Sequence, residues 1–136
     1  MIRSSLSVVS GSIVWTLLWV AANGVIQNII PDIARGDGRI ESVSVLVLFL
    51  MTSIVLSILA GYFTAWTIGK KEIPHTVTLG LVQLLIGILV QMQYLDLLPI
   101  WYHALFLLFL IPGNVYGGYL RIRYKDRTCQ AVVQTT

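Results

Sequence analysis

The chain has 136 residues, with nine Lys or Arg against six Asp or Glu and a formal net charge of +3. Charged residues make up 11% of it and apolar ones 57%, with a mean hydropathy of +0.83. A soluble domain carries about a quarter charged residues, so these figures exclude both a water-facing globular surface and a disordered chain, and the apolar excess must face lipid.

Four stretches lack Asp, Glu, Lys and Arg: Val8–Ile30, Val43–Ile68, Val77–Leu95 and Pro99–Leu120. Each is close to the ~20 residues a helix needs to cross ~30 Å of hydrocarbon. Helix is the expected state, because an open sheet would leave backbone groups unpaired in lipid and the short alternating strands of a barrel are absent. The fold class expected is all-α: a single four-span membrane domain, an integral four-helix bundle, over residues 1–136. Pro31-Asp32 stops the first span, and Arg35-Gly36-Asp37-Gly38-Arg39 reads as a polar turn. Gly69 to Pro74 links the second and third spans, with Pro74 suited to a first helical turn. Asp96-Leu97-Leu98 joins the third to the fourth, and a basic tail follows from Arg121. Arg3, the apolar run after it and Val20-Ala21-Ala22 have the outline of a signal peptide. Removing that segment would put the basic loop and the basic tail on opposite sides, so it is read as the first span.

Orientation follows from Lys and Arg. With four spans, both termini and the middle connection share one side. That side holds seven cations (Arg3, Lys70, Lys71, Arg121, Arg123, Lys125 and Arg127) against two on the other, Arg35 and Arg39. Both termini are therefore expected in the cytoplasm. The lone Cys129 falls in the tail, so no intramolecular disulfide can form.

The spans contain no acid, Lys or Arg, so the titratable carboxylate of a proton-coupled exporter is missing. Their neutral polar residues fall in stripes at helical spacing. One runs through Ser12, Thr16, Trp19, Asn23 and Gln27, and another through Gly80, Gln83, Gly87, Gln91 and Tyr94. The third joins His103, Leu107, Leu110, Asn114, Gly117 and Arg121. Amides so placed serve as interhelical glue. A sharper reading is a small polar cavity lined by Gln27, Gln91 and His103. A haem or pigment at His103 is a minor alternative, and no cofactor or metal is expected.

In the second span Ser53, Ser57, Gly61, Ala65 and Gly69 place a small residue at every fourth position. Such a ridge lets another helix approach closely, either inside the bundle or as a docking face for a partner subunit. Below Pro112, a predicted kink, Asn114 and Gly117-Gly118 offer a matching face. Arg121, Arg123, Lys125 and Arg127 are expected against anionic lipid of the inner leaflet. The tail is too short for a nucleic-acid reader.

Several pieces of spans two to four carry a resemblance. They are Gly61-Tyr62 with Ala65 and Ile68, Lys70-Lys71, His75 and Gly80, Pro99-Ile100-Trp101-Tyr102, and Gly117-Gly118-Tyr119-Leu120-Arg121. In these the chain resembles small, uncharacterised four-helix bacterial integral membrane proteins. The resemblance implies the architecture and a bacterial inner membrane location, and it confers no activity. No nucleophile–base pair or metal-ligand cluster can be assembled, so an enzyme is not expected. The leading expectation is a non-enzymatic accessory, scaffold or assembly subunit of a larger membrane protein complex. The alternatives are a small homo-oligomeric transporter or channel and, third, a binder of a hydrophobic cofactor such as quinone, haem or pigment.

Overall fold

The computed structural model describes residues 2–30, 33 and 38–134, without the side chains of 2–5, 129 and 131–134. Pro31, Asp32, Arg35, Gly36 and Asp37, and the side chains of Arg3 and Cys129, lie outside that description. Four helices follow one another: α1 (Ile2–Ile29), α2 (Val43–Ile68), α3 (Glu72–Met92) and α4 (Ile100–Gln134). All four are long and apolar enough to cross a membrane.

The bounds of α2 coincide with the apolar run, because Gly69 stops it. Gly69 adopts the left-handed conformation (φ 67°), and its N–H returns to the Ala65 carbonyl. The third helix starts earlier than its apolar run does. Glu72 suits the positive end of a helix dipole, and Pro74 lacks only an N–H that a first turn leaves unpaired anyway. It also ends earlier, at Met92, where Leu97 and Leu98 donate their N–H groups to the Tyr94 carbonyl and close a turn. The fourth helix runs through Pro112 and well past Leu120 to Gln134. A helix of 35 residues is ~52 Å long at 1.5 Å per residue, against ~30 Å of hydrocarbon. The basic tail is thus the continuation of α4, a helix long and apolar enough to cross a membrane.

The most extensive helix pair is α2 with α4, followed by α3 with α4 and α1 with α2. α3 also touches α1 and α2, whereas the described backbones of α1 and α4 make no close contact. The order around the bundle is therefore α1–α2–α4–α3, with α2 and α3 meeting across the short diagonal. One end, here the basic end, gathers the start of α1, the α2–α3 turn and the end of α4: Thr64 Oγ1 donates to the Ser7 carbonyl, and Lys125 reaches Gly69.

Size sorting fills the interior. Towards the basic end the residues are small: a Cβ on Gly80 would sit 3.0 Å from the Cα of Ile111, and one on Gly118 2.7 Å from Thr76 Cγ2. Beyond the middle of the bundle aromatic rings fill the interior. Trp15 stacks on Trp19 (6.1 Å between centroids), Trp19 meets Phe106 edge-on at 6.3 Å, and Phe106 stacks on Tyr102 at 6.1 Å. The rings bridge the space between α1 and α4 that their backbones leave open.

Candidate functional site: the polar interior and its two ends

The small-residue ridge of α2 is covered inside the bundle. A Cβ on Gly61 would collide with the carbonyl of Asn114, and one on Gly117 with the carbonyl of Ile58. The two glycines interlock α2 and α4 at a distance only backbone can occupy. Ser53, Ser57 and Ala65 are buried as well. The two serines face α1: Trp15 Nε1 donates to Ser57 Oγ and Trp19 Nε1 to Ser53 Oγ, both at 3.2 Å. Each serine hydroxyl also donates to the carbonyl four residues back, so one hydroxyl serves two bonds. Gly69 does not belong to this ridge. It is the helix stop described above, and a Cβ there would meet nothing within 4 Å.

On the other side of α4, Asn114 Nδ2 donates to Gln83 Oε1 at 2.7 Å and to the Leu110 carbonyl at 2.7 Å. Both amides are fully buried, at 0% exposure. Gln83 Nε2 and Asn114 Oδ1 have no hydrogen-bond partner among the described residues, so each amide uses part of its capacity in the α3–α4 seam. The expected stripe of α3 faces inward from Gly80 to Gln91, and Tyr94 falls in the following turn, exposed.

The cavity expected among Gln27, Gln91 and His103 does not form. Gln27 is exposed on α1, while Gln91 and His103 close on each other directly. His103 Nδ1 lies 2.6 Å from Gln91 Oε1, and Nε2 lies 3.3 Å from the Leu98 carbonyl. Both ring nitrogens are engaged, so axial ligation of a haem or pigment would have to break one of these contacts. The α1 stripe also differs from expectation. Thr16 is exposed, and the inward face runs through Val8, Gly11, Trp15 and Trp19. Thr16 and Asn23 satisfy their side chains on carbonyls four residues back, Ser12 and Trp19 respectively, and need no interior partner.

At the basic end Arg123 and Arg127 are exposed and Arg121 is half-buried. Lys125, expected on lipid, is exposed and also reaches the α2–α3 turn: Nζ donates to the Gly69 carbonyl at 3.2 Å and pairs with Glu72 at 3.4 Å. This places a cation on the negative end of α2.

The opposite end carries a cavity that apolar patterning does not reveal. About 480 Å³ lies between Arg39–Glu41, which lead into α2, and the α3–α4 turn from Leu95 to Pro99. Ile40 N–H donates to the Leu97 carbonyl at 3.2 Å and holds the two walls together. The only sequence signal for it is that Arg39, Glu41 and Asp96 cluster at span ends. Among the described residues, no group of three or more His, Cys, Asp or Glu could hold a metal ion.

The arrangement is that of an all-α, four-helix bundle whose helices can each cross a membrane. No protein-family model, curated protein or solved structure matches the chain.

Proposed function

We propose that the chain is a non-enzymatic accessory, scaffold or assembly subunit of a larger membrane protein complex, integral to a bacterial inner membrane with both termini in the cytoplasm. The observation that carries this reading is α4. It leaves the bundle as one continuous helix to Gln134 and exposes Arg123, Tyr124, Asp126, Arg127 and Thr128. An isolated stretch of helix is marginal in water, so a projecting arm gains from a surface to lie against. The α2 ridge gives no support here, since α4 and α1 already cover it. Nor do the interior amides call for chemistry, since they bond to one another across the seam.

The test is a photo-crosslinking residue at Tyr124, activated in native membranes. A discrete adduct with another membrane protein is expected, lost on Arg127→Glu while the bundle's melting is unchanged. A chain that crosslinks only to itself would favour the second reading, a small homo-oligomeric transporter or channel. The observation on that side is the pair of unmet amide valences at Gln83 and Asn114 within the spans.

A further inference from the structure

The cavity at the end opposite the basic one combines features that neither bundle packing nor the projecting arm of α4 uses. It sits where α3 ends and α4 begins, beside the residues that lead into α2. On the proposed reading of four spanning helices, that level is the one lipid headgroups occupy. The cavity is an open cleft of about 480 Å³ at the surface, so it can seat a headgroup whose remainder lies outside it. Its lining is more polar than apolar: Ile40, Leu97, Leu98 and Pro99 stand beside Arg39, Glu41 and Asp96, which bring one cation and two carboxylates.

The three charges are not equivalent. Arg39 and Glu41 already interact within the chain. The Asp96 carboxylate is exposed and makes no hydrogen bond or ion pair with a described residue. Its wall is nevertheless fixed. The Leu97 carbonyl is bonded to Ile40 N–H, and the Leu98 carbonyl faces buried His103. A free acid on a pinned turn, with a guanidinium and a second acid on the facing wall, matches a molecule carrying a cation and an anion a few bonds apart.

We propose that this cavity binds the headgroup of a zwitterionic phospholipid with a primary ammonium. The ammonium is held by Asp96 with Glu41 beside it, the phosphate turns towards Arg39, and the acyl chains run along the apolar spans below. An ethanolamine-type ammonium has N–H groups to give to a carboxylate, whereas a trimethylated choline nitrogen has none. An anionic glycerol headgroup offers no ammonium and meets two acids.

The test is native mass spectrometry of the full chain in detergent, with phosphatidylethanolamine, phosphatidylcholine and phosphatidylglycerol supplied in equal amounts. Phosphatidylethanolamine should be retained over each of the others by roughly tenfold, the discrimination of about one charge-assisted hydrogen bond. Asp96→Asn should abolish that preference with unchanged melting, and Asp96→Glu should keep it. Equal retention of the three lipids, or a preference indifferent to Asp96→Asn, would overturn the proposal. Displacement of the lipid by an equal concentration of soluble phosphoethanolamine would also overturn it, in favour of a site for a free zwitterion. The outcome is independent of whether the α4 arm has a protein partner.

Discussion

Gly61 and Asn114 set the closest approach of two helices, and the cost of disturbing it can be measured one atom at a time. A single added methyl at Gly61 meets the Asn114 carbonyl, which cannot swing away because it belongs to the backbone of α4. Gly61→Ala should therefore destabilise the bundle by about 1–3 kcal/mol, the usual cost of overpacking. Gly24→Ala is the control. A Cβ there meets nothing within 4 Å, and helix propensity should make it neutral or up to ~1 kcal/mol stabilising. Thermal unfolding of both variants in one detergent checks the pair; similar melting of the two would mean that α2 and α4 stand further apart than described. The amide of Asn114 allows a second measurement at this scale. Asn114→Leu leaves the buried Gln83 amide without its partner, costing about 1–3 kcal/mol, whereas Gln83→Leu leaves Asn114 its bond to the Leu110 carbonyl and should cost less. The double variant leaves no amide behind, so its cost should fall short of the sum of the singles. Strict additivity in the cycle would remove the 2.7 Å bond from the account of stability.

Among the elements, α2 and α1 show what periodicity can and cannot reveal. The four-residue spacing from Ser53 to Ala65 was legible because small residues repeated on one helix face permit close approach of a neighbour. The same spacing misled at Gly69, where the glycine serves its own backbone and not a neighbour. The polar stripe of α1 misled further. Threonine and asparagine in a helix can bond the carbonyl one turn back, so Thr16 and Asn23 say nothing about which face is interior. What fixes α1 is Trp15 and Trp19, whose indoles reach Ser57 and Ser53 across the helix pair. These partners are far apart in sequence and have no spacing rule to announce them. The cavity of Arg39, Glu41 and Asp96 was illegible for the same reason: it is a meeting of two connections, and connections have no period. If the two indole–serine bonds hold α1, Trp15→Phe should cost about 0.6–2 kcal/mol while keeping the aromatic stack. Faster amide hydrogen exchange along α1 than along α3 should accompany it. Uniform acceleration over all four helices would instead make α1 an inseparable part of one cooperative unit.

For the molecule as a whole, the fold concentrates charge of opposite kinds at its two ends. The interlocking of α2 with α4 brings Lys70 and Lys71 of the α2–α3 turn to the same end as Arg121, Arg123 and Arg127, and Lys125 joins the two segments through Gly69 and Glu72. The other end presents Arg39 with Glu41 and Asp96. Insertion keeps Lys- and Arg-rich short segments in the cytoplasm, and the proposed orientation, with the basic end inside, rests on this asymmetry. The sequence contains a single cysteine, Cys129, on the α4 helix beyond the basic cluster. A membrane-impermeant thiol reagent should therefore leave the native chain unlabelled in intact cells and label it after the membrane is opened. Gly36→Cys, in the connection between α1 and α2 and outside the described residues, should be labelled in intact cells when Cys129 is replaced by Ser. The inverse pattern would put the α4 arm outside the cell and overturn the proposed orientation with both termini in the cytoplasm. Labelling of both positions from outside would mean a mixed population, and the six described cations at the basic end would then be too weak a bias to set the topology.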